Sequence, residues 1–452
     1  EMARRFLAVC ALLAASVAAD GVVPEQVHIA LAGEDAVGNP NGMTVSWYTA
    51  EETPSSLRYG TEPEKLDQLA YGHSKSYLEG YHHHVVLGPL QPSTTYYYQI
   101  FNSQAESKVF SFESAPQPQP QQVAGGSESG FSVAIFGDMG VVNSEDTYEQ
   151  LRAHQEDFDL IWHIGDISYA DDWFIRGLRN LFTFGYEETY NQYMDMMEPV
   201  VSEKAWMTLP GNHEGTCHSP ACILGLHNRY EKLRNFTAYN VRFHMPSAEV
   251  QGHSMWSSFN YGPVHFISLD TETDYPGAPE GRSSWWGDGG YGDQLAWLRA
   301  DLEKAQKERT LRPWVLAAGH RPLYTVGVAD AEGNPTGYAK TLQEAVEDLF
   351  HEFGVDVYFA GHVHAYERHY PVYKNKVFES YDDPPYTTHV VVGCAGNVEN
   401  HDGLRSRVPA WNAFKNGKNY GFGILDVSWD SLAWRFIGAS GEVIDSFTLT
   451  RS

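Results

Sequence analysis

Basic residues are scarce in this sequence. It contains 31 Lys and Arg against 58 Asp and Glu, which gives a formal net charge of −27 at pH 7. Such an acidic chain is a poor electrostatic match for nucleic acid or an acidic membrane, so we expect neither as a partner. A small anionic substrate is compatible with this charge where metal ions or local dipoles reverse the potential.

Long apolar runs are also scarce. The run over residues 6–17 follows Arg4 and Arg5 and is followed by the small residues Ala18 and Ala19. It is too short to span a bilayer, and its flanks are typical of a secretory signal. We therefore expect residues 1–19 to be a signal peptide and the protein to be secreted, or sent to a vacuole or lysosome. A buried N-terminal helix is the alternative.

Cysteine is rare as well, with four in the chain, and Cys10 falls inside the expected signal. Cys217 and Cys222 are close enough in sequence to close a small disulfide loop in an oxidising compartment. Cys394 follows an apolar stretch, which indicates a buried thiol. The sequon at Asn235 is a candidate glycosylation site and agrees with export.

An all-β pattern runs over residues 23–115. Segments rich in β-branched and aromatic residues, separated by turn residues, predict strands over 43–48, 56–60, 82–87, 94–100 and 109–112. This spacing is typical of a β-sandwich, and residues 90–96 resemble a corner of fibronectin type III-like domains. We expect the histidines at 82–84 to be partly exposed strand residues. Residues 116–130, rich in Pro, Gln, Gly and Ser, form a linker.

The pattern changes at residue 131. A strand over 131–136, a helix over 145–157 and a strand over 160–164 make a β-α-β unit, with an aspartate just beyond each strand. In open α/β sheets, sites cluster at that edge. The fold class we expect is therefore α/β: an N-terminal all-β sandwich, then a domain over 131–452 with two packed mixed sheets flanked by helices and a β-rich C-terminal segment.

Five short stretches in this second domain each combine glycine with metal-ligand side chains. They are Gly137-Asp138-Met139-Gly140, Gly165-Asp166-Ile167-Ser168-Tyr169, Gly211-Asn212-His213-Glu214, Gly319-His320 and Gly361-His362-Val363-His364. Carboxylates, a phenol, an amide and imidazoles are together the ligand set that a two-metal site needs. His362 and His364 point to the same side of an extended backbone, so each of two metals could take one of them. Asp166 is the candidate bridging ligand because a carboxylate has two oxygens.

Taken together and in this order, the five stretches resemble the motifs of purple acid phosphatases, in the calcineurin-like metallophosphoesterase superfamily. Gly140 and Tyr169 favour the purple branch. The resemblance implies a long form with an N-terminal fibronectin type III-like domain. It also implies that Asp138, Tyr169 and His364 bind Fe(III), that Asn212, His320 and His362 bind a divalent zinc, manganese or iron ion, and that Asp166 bridges the two. His213 would contact the phosphate or protonate the leaving alcohol.

The function that this resemblance implies is that of a secreted acid phosphatase acting on small phosphate monoesters. A metal-bound hydroxide would attack phosphorus while a general acid protonates the departing oxygen. A phosphodiesterase or pyrophosphatase with the same centre is one alternative, and an extracellular binding protein with a relict site is another. Plant members carry two substrate histidines soon after the equivalent of His320, and residues 324–330 contain none. His244, His253, His369 and Arg368 could replace them, although we expect each to be a packing or surface residue.

Overall fold

The structure is a computed structural model, and it describes residues 21–36, 38–117, 130–176, 184–217, 219–223, 232–284 and 287–451. The expected signal peptide and most of the expected linker lie outside these residues. Within the described part of the chain, no helix is both long and apolar enough to cross a bilayer.

The N-terminal domain is a sandwich of two four-stranded antiparallel sheets. Its strands are β1 (Glu25–Ala32), β2 (Gly42–Thr49), β3 (Ser56–Gly60), β4 (Gln68–Tyr71), β5 (His73–Tyr77), β6 (Gly80–Leu87), β7 (Thr95–Ile100) and β8 (Phe110–Glu113). The sheet orders are β1-β2-β6-β5 and β4-β3-β7-β8. The predicted strands did not include β1, which is buried over all of its residues except Glu25. They also did not include β4, which has four residues and is largely exposed.

The expectation that His82, His83 and His84 are partly exposed is wrong, since each is at most 3% exposed. Their strand β6 lies inside its sheet, between β2 and β5. Alternation directs His84 towards the second domain, where its Nε2 lies 2.9 Å from the carbonyl oxygen of Val241. His83 turns the other way and stacks on Trp47, with 4.9 Å between ring centroids.

The second domain contains two larger mixed sheets. Its strands are β9 (Phe131–Phe136), β10 (Met139–Gly140), β11 (Leu160–Ile164), β12 (Ile167–Ser168), β13 (Ala205–Leu209), β14 (Ser257–Tyr261), β15 (Val264–Leu269), β16 (Trp314–Gly319), β17 (Val357–Ala360), β18 (Tyr366–His369), β19 (Val372–Tyr373), β20 (Lys376–Val377), β21 (Thr388–Val392), β22 (Asn412–Asn416), β23 (Gly421–Val427), β24 (Ser431–Gly438) and β25 (Val443–Thr450). One sheet has the order β13-β11-β9-β23-β24-β25 and the other β14-β15-β16-β17-β21-β18-β22.

Helices flank these sheets. They are α1 (Glu145–Ala153), α2 (Tyr186–Val201), α3 (Pro220–Ile223), α4 (Thr237–Arg242), α5 (Ala248–Gln251), α6 (Gln294–Lys307) and α7 (Gly337–Phe353). The two sheets pack face to face through aromatic side chains: the Trp162 ring lies 5.2 Å from that of Phe266, and its indole N–H donates to Ser268 Oγ. On the outer face of the second sheet, Leu298 of α6 and Leu342 of α7 belong to one apolar cluster. The expected fold class is confirmed.

Parallel strands place the ligand loops at one edge. In the first sheet β9, β11 and β13 run parallel, and in the second β15, β16, β17 and β21 do. The five motif stretches directly follow β9, β11, β13, β16 and β17. Because the carboxyl ends of parallel strands lie together, the two sheets bring these loops to a common point.

Candidate metal centre

Asp166 lies at the centre of the cluster of candidate ligands. Its Oδ2 is 2.9 Å from His320 Nε2 and 3.4 Å from the phenolic oxygen of Tyr169. Asp166, His320 and His362 each offer a ligand atom within 4.8 Å of the others. The Asp166 carboxylate thus lies close to an imidazole and to a phenol that belong to different loops. This is the position that a bridging ligand would occupy.

Tyr169 connects this cluster to a second group of candidate ligands. Its oxygen lies 2.8 Å from His364 Nε2 and 3.3 Å from Asp138 Oδ1. His364 Nε2 is in turn 3.4 Å from the same Asp138 oxygen. An oxygen-rich group is therefore formed by Asp138, Tyr169 and His364. Asp166 lies between this group and the two imidazoles of His320 and His362.

The backbone at these positions is strained. Asp138, Asp166, Tyr169 and His362 have φ values of +60°, +51°, +53° and +66°, in the left-handed region that non-glycine residues rarely adopt. Each such residue costs roughly 1–3 kcal/mol and persists only where its surroundings impose it. Glycine is required beside them, since a Cβ at Gly361 would overlap Asp138 Oδ2. These backbone conformations lower the stability of the fold, and they keep the four side chains close together.

The electrostatics of the cluster favour a bound cation. Burial opposes protonation of His320 and His364, but the Asp166 and Asp138 carboxylates outweigh it and raise the pKa of each imidazole to about 9. Burial likewise opposes ionisation of Asp166, yet His320 and His213 hold its pKa well below the usual range. A site that draws protons onto its imidazoles will also draw metal ions, which displace those protons on binding.

Asn212 supplies an independent test of metal binding. Its Oδ1 is buried and has no hydrogen-bond partner among the described residues. An unsatisfied buried acceptor costs about 1–3 kcal/mol. The next residue, His213, donates its backbone N–H to Asp166 Oδ1 at 2.9 Å, so Asn212 stands beside the ligand cluster, and its unpaired oxygen fits a bound cation.

His213 lies next to this cluster of candidate ligands and contacts two carboxylates. Its Nδ1 lies 2.9 Å from Asp171 Oδ1, and its backbone N–H donates to Asp166 Oδ1 at 2.9 Å. Burial opposes protonation, but the carboxylates of Asp171 and Asp166 raise the His213 pKa well above its ordinary value. Sequence reasoning missed Asp171, although its position two residues after Tyr169 was a usable signal.

Sequence reasoning also missed a sixth loop. Residues 396–402 follow β21 and surround His364: Asn400 O lies 2.9 Å from His364 Nδ1, and Asp402 Oδ2 accepts the His364 backbone N–H. Glu399 Oε2 lies 3.8 Å from His364 Nε2 and 3.7 Å from His213 Nε2. The signal was available, because Gly393 and Gly396 end an apolar run as in the other five stretches.

The four candidate replacements for the plant-type substrate histidines lie elsewhere. Arg368 pairs with Asp445, His369 is fully buried, His253 packs on Trp256, and His244 stacks on His84 at the boundary with the β domain.

A different basic residue, Arg321, reaches the ligand cluster. Its Nη1 lies 2.8 Å from His362 Nε2, while its Nε donates to Glu272.

The cysteines and the sequon lie outside the ligand cluster. Cys217 and Cys222 are joined in a disulfide, and Cys394 is a buried free thiol. The side-chain oxygen of Asn235 accepts the backbone N–H of Gly289 at 2.7 Å.

Comparison with known proteins first defines the class. Residues 131–366 match the calcineurin-like phosphoesterase family. Residues 24–114 match the purple acid phosphatase N-terminal domain, and residues 386–446 match the iron/zinc purple acid phosphatase-like protein C family. The chain therefore belongs to the purple acid phosphatase family, as the sequence motifs indicated.

Individual relatives support the same family assignment. The chain is 32% identical to acid phosphatase type 7 of Mus musculus, over 89% of this chain and 84% of the relative. It is 30% identical to acid phosphatase A of Cryphonectria parasitica, over 99% of this chain and 96% of the relative. The purple acid phosphatase PPD1 from yellow lupin seeds shares the fold, with a TM-score of 0.73, 23% identity and coverage of 95% of this chain and 75% of that chain. The enzyme class expected from the sequence, acid phosphatase, is confirmed.

Proposed function

We propose that this protein is a secreted acid phosphatase that hydrolyses small phosphate monoesters at a dinuclear Fe(III)–M(II) centre, where M is zinc, manganese or iron. The position of Asp166 carries the proposal. This buried carboxylate lies within 3.4 Å of Tyr169 and 2.9 Å of His320, which belong to different halves of the ligand set. Relatives named acid phosphatase support the same activity.

The two halves differ in the ions they suit. Asp138, Tyr169 and His364 offer two anionic oxygens and one imidazole, a set that suits Fe(III), and Asn212, His320 and His362 offer an amide and two imidazoles, which suit a divalent ion. When bound, such ions neutralise phosphate charge and activate water as a nucleophile near neutral pH. In this proposal residues 131–452 form the catalytic domain, residues 23–115 the fibronectin type III-like domain, and residues 116–130 the linker.

The protein's own contribution to the reaction is the placement of a proton. Asp171 fixes the His213 ring and keeps its imidazole protonated, with Nε2 directed to the side of Asp166 and Glu399. A phosphate held at the centre would therefore have a proton donor beside its leaving oxygen. General acid catalysis of this kind contributes about 10²–10⁴-fold to a rate.

Export is part of the proposal. The basic and apolar N-terminal pattern is that of a secretory signal. The Cys217–Cys222 disulfide is typical of an oxidising compartment, and the Asn235 sequon is compatible with glycosylation during export. Expression with residues 1–19 intact, followed by N-terminal sequencing of protein from the medium, tests this part. Retention of the uncleaved chain in the cells would contradict it.

The activity is tested with p-nitrophenyl phosphate and its bis ester across a pH series, with metals quantified on the same sample. We expect the monoester to be preferred, one iron and one further metal ion per chain, and loss of turnover in Asp166→Asn. Asp67→Asn, an exposed carboxylate of the β domain, is the matched control. Preference for the bis ester would indicate a phosphodiesterase, and full turnover in Asp166→Asn would overturn the proposed centre.

A further inference from the structure

Asn397 lies directly behind Tyr169. It is 1% exposed and follows β21 in the sixth loop. Its Nδ2 is 3.2 Å from the Tyr169 phenolic oxygen and 3.2 Å from the backbone oxygen of Asp138. Asn397 is not among the ligands that the family motifs assign, yet it contacts the atom through which Tyr169 would bind iron.

The orientation of the Asn397 amide follows from its neighbours. The Asp138 carbonyl can only accept a hydrogen bond, so the amide group facing it is the NH₂. At the other end, the backbone N–H of Glu399 donates to Asn397 Oδ1 at 2.9 Å. The opposite amide orientation would break both bonds. Asn397 therefore presents a donor, and not an acceptor, to the Tyr169 oxygen.

The loop that carries Asn397 is fixed to the first ligand loop. Gly140 N–H donates to the Gly396 carbonyl at 2.8 Å, and Asn143 Nδ2 donates to the Asn397 carbonyl at 2.9 Å. These bonds hold the amide in place relative to Asp138 and Tyr169 before any metal binds. Such preorganisation is what an outer partner of a metal ligand requires.

The remaining neighbours of the Tyr169 oxygen are candidate metal ligands. His364 Nε2, Asp138 Oδ1 and Asp166 Oδ2 lie 2.8, 3.3 and 3.4 Å from it. A phenolate bound to Fe(III) keeps lone-pair density that a donor can polarise, and Asn397 supplies that donor. Hydrogen bonds to ligand atoms are an established means of tuning the electronics of a metal.

We propose that Asn397 is a positioning residue that hydrogen-bonds the phenolate oxygen of Tyr169 and limits the electron density this oxygen donates to the ferric ion. The inference rests on the proposed Fe(III) centre. Without the donor, the phenolate donates more strongly. The tyrosine-to-iron charge-transfer band then moves to longer wavelength, and the iron becomes harder to reduce.

The test compares the full-length, metal-loaded protein with Asn397→Leu, which has a similar volume and no donor, and with Asn397→Ala. The readouts are the visible absorption maximum, the iron reduction potential and the metal content. We expect both variants to absorb at longer wavelength and to have a more negative potential. Loss of an outer partner also lowers metal affinity or activity about 10- to 100-fold.

Asn143→Gly is the matched control. It removes the side-chain bonds that fix the same loop, and glycine adopts the φ of +61° found at this position without strain. Because Asn143 does not contact the Tyr169 oxygen, its band and potential should match those of wild type. The same shift in Asn143→Gly would mean that loosening of the loop is the cause, and would overturn the role of Asn397.

The outcomes separate the two proposals. An iron-loaded wild type without a visible band would contradict the proposed coordination by Tyr169, and the inference about Asn397 would be overturned with it. A purple wild type whose Asn397 variants keep iron, band and potential unchanged would overturn the inference alone. If Asn397→Leu does not fold, Asn397→Ala provides the same comparison.

Discussion

His213 and Asp171 form a buried hydrogen-bonded pair, with 2.9 Å between Nδ1 and Oδ1. Asp171 is fully buried and the His213 side chain is 8% exposed, so little solvent screens the pair. The carboxylate fixes both the orientation and the charge of the imidazole. In the proposed function, His213 is therefore a proton donor whose orientation and charge depend on Asp171.

Asp171 should act through His213. We expect His213→Ala to lower kcat about 10²–10⁴-fold, as loss of a general acid does. Asp171→Asn should cause a smaller loss of kcat, because the His213 ring stays in place and only its pKa falls. The double variant should be no slower than His213→Ala alone, since the two residues act as a unit. Additive losses in kcat would show that Asp171 has a separate role.

Tyr169 should determine the colour of the protein. In Tyr169→Phe the phenolic oxygen is lost while the ring packing against His213, at 4.2 Å between centroids, is kept. We expect the visible absorption band to disappear and the thermal unfolding midpoint to change little. Tyr148→Phe, in α1, is the control for loss of a phenol. A purple Tyr169→Phe protein would place the charge-transfer ligand elsewhere.

Arg242 and Glu187 should contribute strongly to stability. Arg242 is fully buried, and its Nη2 lies 2.9 Å from both Glu187 carboxylate oxygens, which links α4 to α2. Removing one partner leaves a buried charge, so Glu187→Ala should lose about 3–5 kcal/mol of unfolding free energy. Urea unfolding measures this loss. The double variant Arg242→Met with Glu187→Leu should recover part of it, and equal stability of the two variants would contradict the explanation.

Buried histidines near the boundary between the domains should make stability depend on pH. Burial lowers the pKa of His28, His82 and His84, and nearby Arg242 lowers that of His28 and His82 further. In the unfolded chain these imidazoles bind protons below about pH 6.5. Their contribution is therefore complete above that pH and is lost as the pH falls below it.

His82 gives the cleanest variant, because its Nε2 is buried without a partner among the described residues. Besides burial and Arg242, the groups that lower its pKa are His28, His83 and Lys75. His82→Phe should reduce the loss of stability on acidification by up to about 1.4 kcal/mol per pH unit. Denaturant unfolding of metal-loaded protein at pH 7.5 and 5.5 measures this, with His73→Phe as the control for loss of an imidazole. If the unfolding free energy of wild type and of His82→Phe changed equally between the two pH values, this prediction would be contradicted.

Local pattern predicted much of the second domain because its strands are short, apolar and followed by glycine. β9 and β11 begin and end at the predicted residues. The N-terminal domain was harder, since the predicted strands left out β1, which is buried, and β4, which is short and largely exposed. The error over the histidines at 82–84 has a tertiary cause, because His84 contacts Val241 of the second domain and His83 stacks on Trp47.

The sequence by itself determined which chemistry this protein carries. The residue types of a two-metal site occur in the motif order of the family, at Asp138, Asp166, Tyr169, Asn212, His320, His362 and His364. Only the tertiary structure decided how that chemistry is controlled. Asp171 orients His213, Arg321 reaches His362, and Asn397 donates to Tyr169. Ligand identity is local, because each ligand belongs to a short stretch that begins with a glycine near a strand end. Its tuning is long-range, because the tuning groups come from residues 41 to 228 positions away and meet their partners only in the folded domain.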